Sequence, residues 1–224
     1  MITPELLDRY AAAFTVLGRL HLHPADEPSR VAVYNMLMDW PLIVTEADSE
    51  DSRADGEAVA DTQRGLGLLL RSKQLAETDE AVRRDQDLLY GITATAKVPP
   101  FESVHRGQDG LVFDTDTLEV RKQYARLGFR APNFNHEPDD HLGLELDFLG
   151  RCCIAMLDAL DGNDIPAAQS AWYIAQDFTR DHLLKWAPEI VGRAEEAATT
   201  CWVKGLQALT AGTMRAWAND VLPD

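Results

Sequence analysis

The chain has 224 residues, 46% of them hydrophobic, and a formal net charge of −16 from 37 acidic against 21 basic side chains. That length and apolar content suit one globular domain or two small ones with a sizeable core, and exclude a disordered chain. The charge disfavours nucleic acid, whose phosphates it repels, and suits a basic peptide or protein partner as well as plain solubility.

Helical periodicity dominates and no convincing alternating strand is present, so the pattern predicts an all-α bundle of about nine to eleven helices. Thr3-Pro4 starts a first helix whose apolar face includes Leu6, Leu7, Tyr10, Phe14 and Leu17. A second spans 29–40 and stops at Pro41. Residues 46–57 are acidic and polar, and read as a loop into a helix start. Further helices are expected over 55–72 and 78–91. Residues 92–113 lack a helical period and are broken by Pro99, Pro100, Gly107 and Gly110. Asp114 then reads as the N-cap of a helix through Leu127, closed by Gly128. A Pro/Asn-rich linker occupies 129–137.

The clearest helix follows. Leu142, Leu146, Leu149, Cys153, Met156 and Leu160 form one apolar stripe that ends at Gly162-Asn163. Asp164 and Pro166 open another, with Ala168, Trp172, Ala175 and Phe178 inward. A last helix over 190–220, separated by Pro188, turns Trp202, Leu206 and Leu209 inward. The expected organisation is an N-terminal helical part (1–128, including the irregular 92–113), a hinge linker (129–137) and a C-terminal helical part (138–224). Cys152, Cys153 and Cys201 are an odd set without a C-x-x-C, and read as reduced, inert thiols of a cytoplasmic protein. No run reaches the ~18 consecutive apolar residues of a membrane helix, and the first residues lack the basic region of a secretory leader, so stable membrane insertion is not expected.

The richest segment is Asn135-His136-Glu137-Pro138-Asp139-Asp140-His141, with three carboxylates and two imidazoles. Pro138 suits a first helical position, and Asp139 and Asp140 then fall in the first turn, where the helix dipole favours negative charge. Asp140 is expected to be at least partly exposed, so that Asp140→Asn costs little stability. This segment looks like the Glu-Pro-x-Asp-His signature of the TorD/DmsD/NarJ family, chaperones dedicated to molybdenum-cofactor reductases. Val98-Pro99-Pro100-Phe101-Glu102-Ser103-Val104 resembles its Pro-Pro-aromatic-Glu-Ser-Val element. Phe178, His182 and Trp186 resemble its Phe-x-x-x-His-x-x-x-Trp pattern, and Leu89-Tyr90-Gly91 partly fits its Leu-Phe-x-Gly. The resemblance spans residues 85–210 in the family's order.

It implies a TorD-like helical bundle with the signature at the hinge, as a monomer or a dimer that exchanges its parts. It implies a cytoplasmic, non-enzymatic protein without a cofactor of its own. The protein would bind the catalytic subunit of a molybdopterin-dependent reductase, and that subunit's N-terminal twin-arginine leader, before export. The implied binding surface comprises Leu89 and Tyr90 on an apolar side, with Pro100, Glu102, Ser103, Glu137, Asp139, Asp140 and His141. Carboxylates suit this role because a guanidinium donates two parallel hydrogen bonds to them. A NarJ-like assembly factor for a reductase that is not exported is the related alternative.

Other chemistry is also conceivable. His136, Glu137, Asp140, His141 and Glu145 are plausible ligands of a metal-dependent hydrolase or lyase. H-E-x-x-H, however, needs histidines four apart on one helix, and these are five apart with Pro138 between. Ser103, His105 and His141 invite a nucleophilic reading, but no G-x-S-x-G elbow surrounds Ser103. Phe178, His182 and Trp186, at four-residue steps, read as core packing with the histidine satisfied inside.

Overall fold

The computed structural model describes residues 2–43, 56–91, 96–107, 115–131 and 138–222. Within them lie ten α-helices: α1 (Pro4–Leu22), α2 (Glu27–Met36), α3 (Gly56–Leu75), α4 (Asp79–Tyr90), α5 (Glu102–Arg106), α6 (Thr115–Arg126), α7 (Leu142–Asp161), α8 (Ile165–Phe178), α9 (Leu184–Ala197) and α10 (Cys201–Val221). A 3-10 turn (Leu37–Asp39) follows α2, and a π turn (Thr179–Leu183) joins α8 to α9. The all-α expectation is met. Among the described residues the only strand-like feature is an isolated antiparallel bridge between Phe101 and His141.

Local chemistry sets most helix starts. Asp26 caps α2 by accepting from Ser29 N at 3.0 Å, Thr78 caps α4 from Ala81 N at 3.2 Å, and Asp164 caps α8 from Ala167 N at 3.0 Å. Gly128 (φ +72°) and Asn163 (φ +54°) take the left-handed conformation that ends helices. Two expectations need correction. The irregular 92–113 stretch contains a short helix, α5. Pro188 lies inside α9 rather than between helices. The π turn ends just before this helix, and Pro188 has no N–H to give the Leu184 carbonyl. The break instead falls at residues 198–200, between α9 and α10. The Asp114 cap, most of the 46–57 loop and residues 132–137 of the linker lie outside the described residues.

The chain forms two compact units that are interleaved in sequence, whereas a contiguous division around 129–137 was expected. The first comprises Met1–Leu22, Pro100–Ala187 and Val221–Asp224; the second comprises His23–Pro99 and Pro188–Asp220. The reason for the interleaving is that α1 packs against α7, far away in sequence. A Cβ on Gly18 would stand 2.7 Å from the Gly143 carbonyl oxygen, and one on Gly143 would stand 2.6 Å from that of Gly18. The backbones therefore touch at this crossing. The apolar stripe of α7 (Leu142, Leu146, Leu149, Cys153 and Met156) is buried as its spacing predicts, with Leu160 half-buried. Burial pushes the Cys152 thiol up to about 12 and raises Cys153 well above its usual value, which disfavours the reactive thiolate.

In the second unit, α3 and α10 cross as closely. A Cβ on Gly65 would lie 2.8 Å from Leu209 N, and one on Gly212 would lie 2.8 Å from Thr62 N. The start of α10 is held by two acidic side chains from elsewhere in the sequence. Asp85 accepts from Thr199 N, Thr200 N and Thr200 Oγ1 at 2.7–3.0 Å, and Glu77 accepts from Cys201 N at 2.7 Å and Trp202 N at 3.0 Å. These carboxylates satisfy the orphan N–H groups of the first turn and oppose the helix dipole. No described helix is long and apolar enough to cross a membrane.

The α1–α7 crossing predicts a contrast between glycines. Gly18→Ala and Gly143→Ala should each destabilise the protein by about 1–3 kcal/mol through overpacking. Gly192→Ala, in α9 with open space around the added carbon, should leave stability unchanged or raise it by about 0.5–1 kcal/mol. Denaturant titration of the three variants checks the contrast.

Candidate functional site

The first unit brings most of the singled-out residues together through one backbone contact. Glu102 N donates to Asp140 O at 3.0 Å and Leu142 N donates to Pro100 O at 2.8 Å, so residues 100–102 and 140–142 run antiparallel. This corrects the expected helix start. Pro138, Asp139 and Asp140 precede α7 instead of forming its first turn, because the pairing engages the Asp140 carbonyl and the Leu142 amide. His141 is the N-cap, its Nδ1 accepting from Gly143 N at 3.0 Å.

Asp140 is fully buried and Asp139 is 1% exposed, against the expectation of an accessible Asp140. Each oxygen of Asp140 has an internal donor: Oδ2 accepts from Ser103 N at 2.7 Å and Oδ1 from Thr117 Oγ1 at 2.8 Å. Asp140 thus caps α5 and ties it to α6. Asp139 pairs with Arg121 through Oδ2, and its carbonyl accepts from the Tyr124 hydroxyl at 2.9 Å. Burial, with the nearby carboxylates Glu145, Asp140, Asp139 and Glu102, raises the Tyr124 phenol well above its usual value and keeps it a donor.

Glu102 is also buried. It meets Arg106 one turn on, and His182 Nδ1 stands 3.1 Å from its Oε2. Because a carboxylate only accepts, Nδ1 of His182 carries the hydrogen. Arg106 also donates to Asp181 O at 3.0 Å, fastening α5 to the π turn. Beside Glu102 lies buried Glu145, whose Oε2 accepts from Trp186 Nε1 at 3.1 Å. Burial first, then the charges of Glu102 and Asp140, push the Glu145 carboxyl well above the usual range. Glu145 Oε1 finds no donor. A proton on Glu145, offered to Glu102, resolves both facts. The inward Phe178-His182-Trp186 face is as expected: all three are buried, and Phe178 stacks on His182 at 5.2 Å.

Of the remaining candidates, Pro100 and Ser103 are buried in this cluster, and His141 is half-buried against Phe101 at 5.2 Å. Leu89 and Tyr90 belong to the second unit and are buried there; the Tyr90 hydroxyl and the Gln207 amide exchange hydrogen bonds of 2.8 and 3.1 Å. His136 and Glu137 lie outside the described residues. No group of three or more metal-ligating side chains occurs among the described residues. Asp140 and Glu145, two of the conceivable ligands, are each engaged by protein donors. Sequence reasoning missed Thr117, Arg121 and Tyr124, which carry no local signal. The Glu102–Arg106 pairing was visible as a four-residue spacing.

These three sequence elements therefore meet in one place and in the roles of a scaffold. A family model described as "Nitrate reductase delta subunit" matches residues 49–192, well over half of the chain. The chain belongs to this family. The TorD/DmsD/NarJ resemblance is thereby borne out, and curated relatives agree. A "Chaperone protein TorD" of Photobacterium profundum is 26% identical over 162 residues, covering 66% of this chain and 74% of that protein. One of Vibrio parahaemolyticus is 29% identical over 97 residues, covering 43% of this chain and 44% of that protein. A "Probable Tat proofreading chaperone DmsD" of Haemophilus influenzae is 26% identical over 125 residues, covering 55% of this chain and 53% of that protein. The chain thus matches about half the length of two of these relatives. All three are named as chaperones rather than enzymes.

The buried cluster makes two predictions. Asp140→Asn should lower stability by about 1.5–3 kcal/mol, since one amide cannot accept from both Ser103 N and Thr117 Oγ1; chemical denaturation measures this. Glu145→Gln mimics the protonated acid and should match the wild type near pH 5. A carboxyl raised in the folded state holds its proton where the unfolded chain has lost it, so wild-type stability falls as pH rises above about 4.5 towards the folded value. The variant lacks this loss and should become the more stable protein by pH 8–9. Parallel melting curves of the two proteins across that range provide the check.

His21 works in the opposite direction. Burial, helped by neighbouring His141, lowers it from 6.5 to about 3. The unfolded chain takes up this proton below about pH 6.5 while the folded chain refuses it until about pH 3, so His21 removes about 1.4 kcal/mol of stability per pH unit on acidification through that window. The acid limb of the stability profile should be shallower in His21→Gln than in the wild type.

Proposed function

We propose that this chain is a cytoplasmic maturation chaperone for a molybdopterin-dependent oxidoreductase, holding the client's N-terminal twin-arginine leader and its apo-enzyme until the cofactor is in place. The observation that carries this reading is the convergence of three elements separated in sequence (98–104, 138–145 and 178–186) on one buried polar cluster, in a chain whose family and curated relatives bear chaperone names. Such a cluster supplies shape, with each buried charge already answered from within.

In this reading Asp139, Asp140, Glu102 and Ser103 are positioning residues. They hold the 100–107 segment and the start of α7 in place, and His141 with Phe101 offers a half-exposed edge to the partner. Pro100 stiffens the approach to α5, and Leu89 and Tyr90 are buried within the second unit. Glu137 adds a carboxylate to the same segment. The relative named for Tat proofreading favours an exported client. The family's description as a nitrate reductase delta subunit is compatible with a second reading, an assembly factor for a reductase that is not exported.

Affinity purification of the tagged full chain from its native cell, followed by identification of the bound large subunit, tests the proposal. The expected result is a molybdopterin reductase that is retained in its cofactor-free form and released when its leader is deleted. Retention that ignores the leader supports the assembly-factor reading instead. A preparation that never carries a reductase overturns both.

A further inference from the structure

We propose that the recess between α2 and α3 in the second unit docks the apolar segment of a client leader, with the leader's arginines lying at the recess's acidic end. The inference rests on the leader-binding reading above and adds a place for it within the second unit.

The recess has a volume of about 370 Å³ and is walled by Tyr34, Leu37, Met38, Leu42, Leu66 and Leu70. That is within the roughly 300–1,000 Å³ of ligand-holding clefts. Two of its wall residues face solvent, Met38 at 86% and Leu70 at 47% exposed, while Leu37 and Leu42 are buried. Methionine is unbranched and polarisable, and adapts to apolar partners of varied sequence, which suits leaders related by hydrophobicity more than by exact residues.

Tyr34 and Lys73 also line a second recess of about 490 Å³, so the two adjoin. The second is edged by four carboxylates, Glu27, Glu77, Asp79 and Glu80, against two cations, Arg30 and Lys73. Arg30 is already neutralised by its pairing with Asp79, and Glu77 is committed to the amides that open α10. Lys73 holds its amino group 5.9 Å from the Tyr34 ring centroid, at the junction of the two recesses. Glu27 and Glu80 remain exposed at the rim. One surface thus presents an apolar channel followed by excess negative charge. The matching ligand is a segment with guanidiniums at one end and a run of leucine-like side chains at the other, laid in as a helix or an extended strand. A second copy of this chain fits poorly, because each copy carries a formal charge of −16.

The test uses the full-length protein and a fluorescein-labelled synthetic peptide with two adjacent arginines followed by twelve leucine and alanine residues, read by fluorescence anisotropy. Wild type should bind, and binding should weaken as salt rises. Met38→Asp/Leu70→Asp should lose at least about tenfold in affinity, as burial of two apolar side chains is worth at least that. Glu27→Gln/Glu80→Gln should weaken binding by about three- to tenfold and flatten the salt dependence. Tyr173→Asp, at an exposed apolar residue of the first unit, should stay within twofold of wild type. Met38→Asp alone should also weaken binding; its side chain is so exposed that the melting temperature serves as a folding control.

Peptide binding unchanged in Met38→Asp/Leu70→Asp overturns the docking site and leaves the leader-binding reading standing. Absence of binding by the wild type overturns both. Sedimentation that shows a wild-type dimer lost in the same double variant would assign the recess to a second copy and overturn the proposal.

Discussion

The antiparallel contact between residues 100–102 and 140–142 governs the first unit. Two backbone hydrogen bonds, Glu102 N to Asp140 O and Leu142 N to Pro100 O, join segments about forty positions apart in the sequence. Once the Leu142 amide is committed to Pro100, α7 begins there and His141 becomes its cap. Asp140 is then held where its carboxylate reaches Ser103 N and starts α5. α5 in turn carries Glu102 into the interior, where His182, Arg106 and Glu145 meet it. Most of the buried polar groups so created are satisfied by the next step, while among the described residues Ser103 Oγ, Asp139 Oδ1 and Glu145 Oε1 accept no hydrogen bond from a protein donor.

Burying so many carboxylates stabilises little in itself, because desolvation offsets much of the Coulombic gain. Its effect is to select one arrangement. Removing any single partner leaves a buried charge or an open acceptor, so misregistered packings are penalised far more than the native one is favoured. The cations Arg106 and Arg121 sit partly exposed at the margin and join the interior to water, while Glu145 avoids a second adjacent charge by keeping its proton. The second unit uses a related device. Asp85 and Glu77 take up the amides at the start of α10, so that helix is anchored by side chains more than a hundred residues earlier in the chain.

The close glycine crossings, α1 with α7 and α3 with α10, give each unit a rigid spine. On the surface of the second unit Met38 and Leu70 stand out from this packing, both exposed. The first unit thus keeps several charges inside its own network, while the second leaves these two apolar side chains to solvent.

The sequence by itself determined the helices and the apolar face of each. The stripe from Leu142 to Met156, the caps at Asp164 and Gly162, and the inward Phe178-His182-Trp186 face are local patterns of 3.6-residue periodicity and capping chemistry, legible without a fold. It also made the 136–141 segment conspicuous, because five ionisable groups so close together are unusual. The accessibility of that segment was decided only by tertiary structure. Asp140 reads as a surface charge at a helix start until Ser103 and Thr117 are brought to it, and Pro138 reads as a first helical residue until the Pro100 carbonyl claims the Leu142 amide. The grouping into units was likewise non-local: α1 joins α7 because two glycines let their backbones touch, a fact that neither helix shows alone. Burial of a charge depends on donors supplied from distant parts of the chain, so the same carboxylates carry opposite meanings before and after folding.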